Sequence, residues 1–477
     1  IYNKKSDDDD VESIVEIQGG TFTANQADYG GAIFNDEDSR LVLDTDSLSG
    51  KITTFSKNVS RSGYGGAIYN RGIIAPSQER IDEENLPVAG KFNSNKATLN
   101  AQTCENVKKA DVTNPNIYKS PYGGAIYNEG TLEINQGNIT SNSATATVTL
   151  NTIGYEEYHS WGYGKITKYA GKGGAIYSNS DASLYLSSST FSKNSAAEAG
   201  GAVYNENENA VMYLINGSYA SNKASSTTTT VRNISLVNGV SKKTKETTKE
   251  SVGQGGAIYT TGAIDINNTD KDVNKYGGFV YDAQNATTFT SNSAVSGGAV
   301  YTEKTASINN TTFTKNSATY TVTSNNKERK EALTNAAMQS GAGSGGAVYA
   351  SGDVTINNSA FASNKATNYG GGIYTTGNVT INAINSAVTF SGNTAGVGDD
   401  ILMQGTSTNQ ITLALNATDA TNKITFDDGS DRDNIDGEYF DININTEVDT
   451  NGDGIISFQE FAEIMKKMLK TEKENKK

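Results

Sequence analysis

The chain has 477 residues, of which 35% are hydrophobic, and it contains 49 glycines, 25 tyrosines and 14 phenylalanines. This composition excludes a thick multilayer core and favours an elongated fold that buries a thin column of side chains. The net charge of −14 disfavours binding to nucleic acid or to anionic lipid. Cys104 is the single cysteine, which excludes an intrachain disulfide, and no apolar run is long enough to predict a transmembrane helix.

The chain opens with Ile1-Tyr2-Asn3, which matches the end of a motif that recurs later, so we expect it to begin inside a repeat. In full, this motif is a Gly-Gly pair followed by a small, a β-branched and an aromatic residue. It begins at Gly30, Gly65, Gly123, Gly173, Gly200, Gly255, Gly277, Gly297, Gly345 and Gly370.

A second motif alternates with the first and places an aromatic or aliphatic residue three positions before an asparagine. Its copies are Phe22/Asn25, Phe55/Asn58, Phe92/Asn95, Ile139/Asn142, Phe191/Asn194, Tyr219/Asn222, Phe289/Asn292, Phe313/Asn316, Phe361/Asn364 and Phe390/Asn393. Alternating apolar pairs such as Leu132/Ile134 and Val354/Ile356 add a short strand to the unit.

The unit of roughly 20 to 28 residues suits one coil of a parallel β-helix. Leucine-rich repeats have a similar period, but β-branched and aromatic residues dominate here and glycine and asparagine recur every few positions. We therefore predict an all-β fold, a right-handed parallel β-helix over residues 1–430.

In such a fold, equivalent residues of successive coils stack about 4.8 Å apart. The Gly-Gly motif then predicts a ladder of Ile33, Ile68, Ile126, Ile176, Val203, Ile258, Val280, Val300, Val348 and Ile373. The phenylalanines should form a second ladder. The glycine pairs suit positive φ or close approach of coils, while the asparagines tolerate left-handed backbone and can hydrogen-bond to their counterparts.

Four insertions separate an asparagine of the second motif from the next Gly-Gly pair, and they cover residues 96–122, 143–172, 223–254 and 317–344. Because all four enter at the same turn of the coil, they should emerge along one edge of the rod as loops. We therefore predict that this edge is the interaction surface.

The insertion 143–172 contains Tyr155, Tyr158, Trp161 and Tyr163, which are the residue types that dominate binding hot spots. The sequence leaves open whether they bind a ligand or pin the loop to the coil. The insertion 223–254 is rich in threonine and lysine and predicts a solvated loop. The insertion 317–344 predicts one short helix within residues 327–338.

The repeat ends near residue 430, and residues 431–477 are predicted to be a calcium-binding segment with a lysine-rich tail. Residues 449–460 match every position of the twelve-residue EF-hand loop. The predicted calcium ligands are Asp449, Asn451, Asp453, the carbonyl of Ile455, Ser457 directly or through water, and Glu460. Upstream, Phe440 and Ile444 fit either an entering helix or a strand.

The two interleaved motifs resemble the repeats of the chlamydial polymorphic outer-membrane proteins over roughly residues 1–400. That family consists of autotransporter passengers that are exposed at the cell surface and act as adhesins. The resemblance implies an extracellular or outer-membrane-associated location for this chain. The C-terminal segment separately resembles single EF-hands of the calmodulin superfamily.

Taken together, these features predict an extracellular adhesin whose rod presents edge loops to a host or cell-surface protein or glycan. The alternative is a structural subunit of a filament or surface layer, which would self-associate by end-to-end stacking of β-helix ends. We do not expect an enzyme, because the acidic residues lie mostly in loops and show no repeated pairing across coils.

Overall fold

In a computed structural model of the chain, successive coils add one short strand each to three long sheets, as expected of a parallel β-helix. The structure describes residues 1–441 apart from 5–12, 45–48, 77–88, 109–110, 113, 158–159, 238–239, 269–274, 277–278, 281–284, 384–385, 405–410, 416–423 and 426–438. The predicted fold class is confirmed.

The Gly-Gly motif supplies the first sheet, which we call the Ile sheet. Its twelve strands are Tyr2–Asn3, Ile33–Asn35, Ile68–Asn70, Ile126–Asn128, Ile176–Ser178, Val203–Asn205, Ile258–Thr260, Val300–Thr302, Val348–Ala350, Ile373–Thr375, Ile401–Gln404 and Tyr439–Asp441. The last strand runs antiparallel to its neighbour, and all the others are parallel. Phe440 therefore belongs to a strand and not to a helix.

The alternating apolar pairs supply the Leu sheet. Its strands are Ser13–Gln18, Ser39–Asp44, Ile73–Ile74, Thr131–Asn135, Leu184–Ser187, Met212–Ile215, Ile264–Ile266, Ala306–Asn309, Val354–Asn357, Val379–Ala383 and Ile411–Leu415. The second motif supplies the Phe sheet, with strands Thr21–Thr23, Thr54–Ser56, Lys91–Asn93, Asn138–Thr140, Thr190–Ser192, Ser218–Ala220, Thr287–Thr290, Thr311–Thr314, Ala360–Ala362, Val388–Ser391 and Ile424–Thr425.

A fourth sheet has a parallel part and a mainly antiparallel part that share the long strand Ser143–Glu157. The parallel part stacks Gln26–Tyr29, Val59–Tyr64, Lys96–Thr98, Ser195–Ala196, Lys223–Ala224, Ser293–Ala294, Ser317–Ala318 and Lys365–Ala366. The other part contains Gln102–Val107, Ser160–Ala170, Ser226–Val237, Val240–Val252 and Val322–Ser324. Lys275–Tyr276 and Phe279–Val280 form a separate pair. Among the described residues, the helices are the α-helix Lys327–Gln339 and the 3₁₀ turn Pro115–Ile117.

The interior of the rod is one column of apolar side chains from the three long sheets. The phenylalanine ladder is confirmed, with neighbouring rings stacked at 4.7 to 5.1 Å between centroids. Ile139 takes one position of this ladder, opposite Phe92 and Phe191. Because every inward side chain contacts its counterparts in the coils above and below, the thin core is continuous along the rod.

The predicted isoleucine and valine ladder is wrong at Val280. Ile258 pairs directly with Val300, while Val280 pairs with Lys275 in the separate two-stranded ribbon. Only one copy of the second motif, Phe289/Asn292, lies between the Gly-Gly pairs that precede Ile258 and Val300. The chain therefore makes one coil there and not two. Ile401, which follows a degenerate Gly-Asp-Asp segment, adds a rung after Ile373.

The asparagines of the second motif form a hydrogen-bonded ladder along the rod. In each step the backbone N–H and the side-chain Nδ2 donate to Oδ1 of the next asparagine, as at Asn194 and Asn222 with 3.1 and 3.0 Å. The same Nδ2 donates at 2.9 Å to the backbone carbonyl of Ile139 in the preceding coil. Because each asparagine has partners in the coil before it and in the coil after it, its polar groups are satisfied inside a buried column.

The left-handed backbone lies one residue before each ladder asparagine, and not at the asparagine itself as we predicted. Examples are Lys57, Ser221 and Lys315, each with a φ of 56°. In the Gly-Gly pair, the first glycine has positive φ and the second allows close approach, so both predicted reasons apply. A Cβ on Gly201 would lie 2.0 Å from the carbonyl oxygen of Gly256 in the next coil.

The tyrosines of the Gly-Gly motif stack outside the Ile sheet. Neighbouring rings from Tyr127 to Tyr259 lie 4.6 to 5.3 Å apart and are nearly parallel. Their hydroxyl groups reach carboxylates, as where both Tyr69 and Tyr127 donate to Glu129. Burial is the main cause that raises the pKa of these tyrosines, so they stay neutral donors.

Candidate interaction surface on the insertion edge

The four insertions meet on one edge of the rod and form a single, mainly antiparallel layer, which we call the side sheet. Its first hairpin is Ser143–Glu157 with Ser160–Ala170, and its second is Ser226–Val237 with Val240–Val252. The two hairpins pair with each other antiparallel, and the short strand Val322–Ser324 extends the layer. On the other side, Gln102–Val107 pairs parallel with the first hairpin. The interpretation of residues 223–254 as a solvated loop is therefore wrong.

Strict alternation gives the side sheet an inner and an outer face. In the first hairpin, Val148, Leu150 and Ile166 are buried, while their neighbours Thr149 and Thr167 are partly exposed. This period of two is the pattern of a strand with one covered face. It is visible in the sequence of the insertion, and it is the signal that would have predicted the hairpin.

The inner face of the first hairpin packs on the insertion that precedes it. Val148, Leu150 and Ile166 form one apolar cluster with Val107, and Tyr118 packs against it. The 3₁₀ turn Pro115–Ile117 leads into this contact, and the Cys104 thiol donates to the Ile117 carbonyl at 3.0 Å. The hairpin is therefore anchored to the rod by a small core of its own.

A polar cluster at the foot of the first hairpin centres on Glu198. Its carboxylate accepts from the hydroxyls of Tyr118 and Ser120 at 3.4 and 3.3 Å and from the Gly171 N–H at 3.2 Å. Lys168 Nζ lies 3.9 Å from the centre of the Tyr118 ring. Burial lowers the pKa of Lys168, and burial followed by the Glu198 charge raises the pKa of Tyr118.

The inner face of the second hairpin carries a buried ion pair. Arg232 Nη1 lies 3.9 Å from Glu246 Oε1, and Asn326, which caps the helix Lys327–Gln339, donates to Glu246 at 2.9 Å. The Tyr320 hydroxyl donates to Glu250 at 2.9 Å. The predicted helix of the fourth insertion is thus present, and its N-terminus contacts the side sheet.

The outer face of the side sheet is a flat polar surface. One row crosses six strands through consecutive register pairs and consists of Thr103, Thr149, Thr167, Thr229, Lys249 and Thr323. A neighbouring row pairs Asn151 with Lys165, Val231 and Thr247. Sequence analysis missed these rows because they join insertions that are far apart in the chain.

The predicted aromatic binding residues lie at the far end of the first hairpin. In backbone register, Tyr155 pairs with Gly162, Trp161 with Leu236, and Tyr163 with Asn233. These strand positions bring Trp161 and Tyr163 next to the second hairpin. Tyr158 lies outside the described residues.

The predicted calcium ligands, Asp449, Asn451, Asp453, Ile455, Ser457 and Glu460, lie outside the described residues. Elsewhere, the described part of the chain has no group of three or more histidine, cysteine or acidic residues placed to hold a metal ion. The donor set of the loop consists of oxygen atoms alone, with three acidic side chains, and this chemistry fits calcium.

Three segments of the chain, 52–71, 188–206 and 286–303, match the family model of the Chlamydia polymorphic membrane protein repeat. These three segments are similar to Chlamydia polymorphic membrane protein repeats. Each matched segment spans one Phe-x-x-Asn motif and the next Gly-Gly pair, with a short connection between them. The resemblance inferred from these motifs is confirmed.

Residues 443–468 match the family model of the EF hand domain. The matched segment includes the whole predicted calcium loop. No curated protein and no solved structure matches the chain. The polymorphic membrane protein family is associated with the outer membrane and the cell surface, in agreement with the predicted localisation. Within the described residues, no helix has the length and apolar character needed to cross a membrane.

Proposed function

We propose that the chain is an extracellular adhesin that contacts its ligand through the side sheet. The observation that carries this proposal is the assembly of four separate insertions into one continuous layer on one edge of the rod. A repeat needs none of these insertions to complete its coil, since the connection from Ser195–Ala196 to the next Gly-Gly pair takes only a few residues. The extra chain is therefore available for recognition.

The packing beneath the side sheet supports the same function. A binding surface gains affinity when its residues are already ordered before the ligand arrives. Here the inner apolar cluster, the Arg232–Glu246 ion pair and the helix Lys327–Gln339 hold the layer in place. The outer face is consequently a preorganised surface on a rigid support.

The test is to remove each hairpin without disturbing the coil. Residues 145–171 or 225–253 are replaced by the dipeptide Ala-Glu. In the coil without an insertion, this dipeptide connects Ala196 to Ala199, which occupy the positions equivalent to the two ends of each deletion. We expect binding of the purified chain to cultured epithelial cells to fall roughly tenfold or more. Deletion of 269–284, which enters at a different turn, is the matched control. Unchanged binding by both hairpin deletions, with intact β-sheet circular dichroism, would refute the proposal.

We also propose that calcium binds to the EF-hand loop and stabilises the C-terminal segment. Asp449, Asn451, Asp453 and Glu460 would supply carboxylate or amide oxygens, with Ile455 giving its carbonyl. When bound, the ion would neutralise the clustered acidic groups of this loop. The chain itself contributes the glycine at 454, which permits the sharp turn that the loop requires.

Calcium binding is tested on the full chain by isothermal titration calorimetry. We expect Glu460→Gln to weaken calcium binding by about tenfold or more, because the bidentate carboxylate at the last loop position is lost. Glu474→Gln, in the tail beyond the loop, is the control. Heat-unfolding midpoints that rise with calcium in the native chain and not in Glu460→Gln would link binding to stability. Equal affinities for the two variants would contradict the assignment.

The role as a filament subunit remains the alternative, and the absence of an enzymatic activity remains a prediction. Negative-stain microscopy of the purified chain with calcium and with chelator separates the two functions. Long filaments would favour end-to-end assembly, and their loss in chelator would assign the junction to the calcium loop. Isolated rods would favour the adhesin.

A further inference from the structure

We propose that the outer face of the side sheet binds a linear anionic polysaccharide. This inference rests on the proposed adhesin function and names the chemical class of its ligand. Two features of the outer face carry it. One is a local excess of positive charge on an acidic protein, and the other is an ordered array of free hydroxyl groups.

The positive charge comes from three exposed lysines, Lys165, Lys245 and Lys249. The chain as a whole carries a net charge of −14, so this face differs in sign from the average of the protein. No carboxylate of the described residues lies within ion-pair distance of these three lysines. A surface of this kind attracts anions and raises their local concentration.

The acidic residues of the same strands do not cancel this charge. Glu246 and Glu250 lie between the lysines in sequence but belong to the inner face, where they bind Arg232 and Tyr320. On the outer face, among the side chains that the structure describes, Glu105 is the acidic residue, and its carboxylate accepts from Asn151 at 2.8 Å.

The spacing of the lysines fits an extended polymer better than a small anion. Lys245 and Lys249 are four residues apart on one strand, which corresponds to about 14 Å. Lys165 lies two strands away in the row of Val231 and Thr247, a separation of about 10 Å across the sheet. No single small anion reaches all three ammonium groups, whereas a charged chain laid across the strands can.

The hydroxyl groups come from the threonine row. Thr149, Thr167 and Thr229 lie on neighbouring strands, and their hydroxyls make no hydrogen bond to another described residue. Their spacing is the strand spacing of about 4.8 Å, and their β-branched side chains have restricted χ1. They therefore offer a fixed array of donors and acceptors to sugar hydroxyls, at a low entropic cost.

The described side chains of this face offer a protein partner few anchors. Protein interfaces concentrate their energy in buried aromatic, arginine and large apolar anchors. Of the large hydrophobic residues of the described side sheet, Tyr169 is the one with an exposed side chain, at 40%. The remainder of the described outer face is mostly threonine, asparagine and lysine, with Val231 partly exposed among them, and its polar groups match the hydroxyl and anionic groups of a polysaccharide.

The test compares three immobilised probes, dextran sulfate, uncharged dextran and duplex DNA, by surface plasmon resonance with the intact chain. We expect binding to dextran sulfate that weakens with added salt, and none to dextran. The triple variant Lys165→Gln, Lys245→Gln, Lys249→Gln should lose roughly tenfold in affinity. The matched control is Lys57→Gln, Lys193→Gln, Lys315→Gln, which removes the same charge from exposed turns elsewhere and should leave the affinity within about twofold.

A second variant tests the hydroxyl row without changing charge. Thr149→Val, Thr167→Val and Thr229→Val keep β-branching and should weaken binding to dextran sulfate by roughly threefold, with the salt dependence unchanged. Equal losses from the two lysine variants, or no loss from either, would overturn the proposal. Duplex DNA bound as tightly as dextran sulfate would mark a nonspecific polyanion surface and would overturn it too.

The outcomes also separate this inference from the adhesin function. Cell binding that needs the hairpins but survives the lysine triple variant would refute the polysaccharide ligand and retain the adhesin. Dextran sulfate binding that depends on the three lysines, in a chain that does not bind cells, would retain the ligand class and refute the adhesin.

Discussion

Asn393 donates a hydrogen bond from Nδ2 to Oδ1 of Asp400 at 2.9 Å, and both side chains are buried. Asn393 is the last asparagine of the ladder, and its own Oδ1 accepts from Asn364. A carboxylate oxygen accepts hydrogen bonds and brings no amide donor that would need a further partner. Asp400 is therefore suited to end a ladder in which every step donates towards the C-terminus.

The asparagine ladder predicts a large effect of a single deletion in its middle. Asn222→Ala removes the acceptor for Asn194 and the donor to Asn292 and to the Phe191 carbonyl, all in a buried column. We expect a loss of about 3 to 5 kcal/mol in the free energy of unfolding, measured by urea denaturation. The exposed Asn138→Ala should change it by less than about 0.5 kcal/mol. Similar values for the two variants would contradict the buried ladder.

Tyr219 predicts a stabilising substitution. Its ring is fully buried in the phenylalanine ladder between Phe191 and Phe289, and its hydroxyl has no hydrogen-bond partner among the described residues. Tyr219→Phe removes that unsatisfied group and should raise the free energy of unfolding by about 1 kcal/mol or more. The measurement is the urea midpoint at neutral pH. A loss of stability would mean that the hydroxyl has a partner, such as a buried water.

The second glycine of each pair predicts a steric effect that is separable from backbone strain. Gly201→Ala places a Cβ 2.0 Å from the carbonyl oxygen of Gly256, so we expect a loss of about 4 kcal/mol or failure to fold. Gly50→Ala is the control, because Gly50 has φ +64° and open space around the added Cβ. It should cost only about 1 kcal/mol. Equal costs would refute close coil contact as the reason for the second glycine.

Glu133 predicts a stability that falls as the pH rises. Its side chain is buried in the Leu sheet, Oε1 has no described partner, and burial raises its pKa to about 8 despite the opposing charge of Arg40. The unfolded carboxyl titrates near 4.5, so between these values the folded state holds a proton that the unfolded chain has released. The penalty is absent below pH 4.5 and complete above pH 8, with a slope of at most about 1.4 kcal/mol per pH unit.

Urea midpoints of the native chain and of Glu133→Gln, measured from pH 5 to pH 8.5, test this pH dependence. The variant should lose this part of the slope and should be the more stable protein at the upper end. Glu105→Gln, at an exposed carboxyl, is the control. If the native chain and Glu133→Gln keep a constant difference across the range, Glu133 does not titrate with a raised pKa.

The coils could be predicted from the sequence because their physics repeats. Each rung needs the same residue types at the same places, so the pairings from Ile33 to Ile68 and from Phe55 to Phe92 follow from the spacing alone. Val280 shows the limit of this reasoning. A local motif was present there, but a coil also needs a residue for each of the other sheets, and residues 259–299 supply them only once.

The side sheet could not be predicted in the same way, since its pairs form between insertions with no common motif. Thr167 and Thr229 are adjacent in the layer but 62 positions apart in sequence, and nothing local specifies their partnership. The alternation that buries Val148 and Leu150 did carry a strand signal. The threonine and lysine content of residues 223–254 obscured the equivalent signal in the second hairpin, because those residue types are also common in solvated loops.

The uniform direction of the asparagine ladder makes each coil an interchangeable length unit. Any coil offers the same acceptor to the coil before it and the same donors to the coil after it, so whole coils could be gained or lost without leaving an unmatched group. From Asn25 to Asn393 the ladder takes nine steps, or about 43 Å at the strand spacing. The number of coils before and after the side sheet therefore sets the distance of this layer from Asn25 and from Asn393.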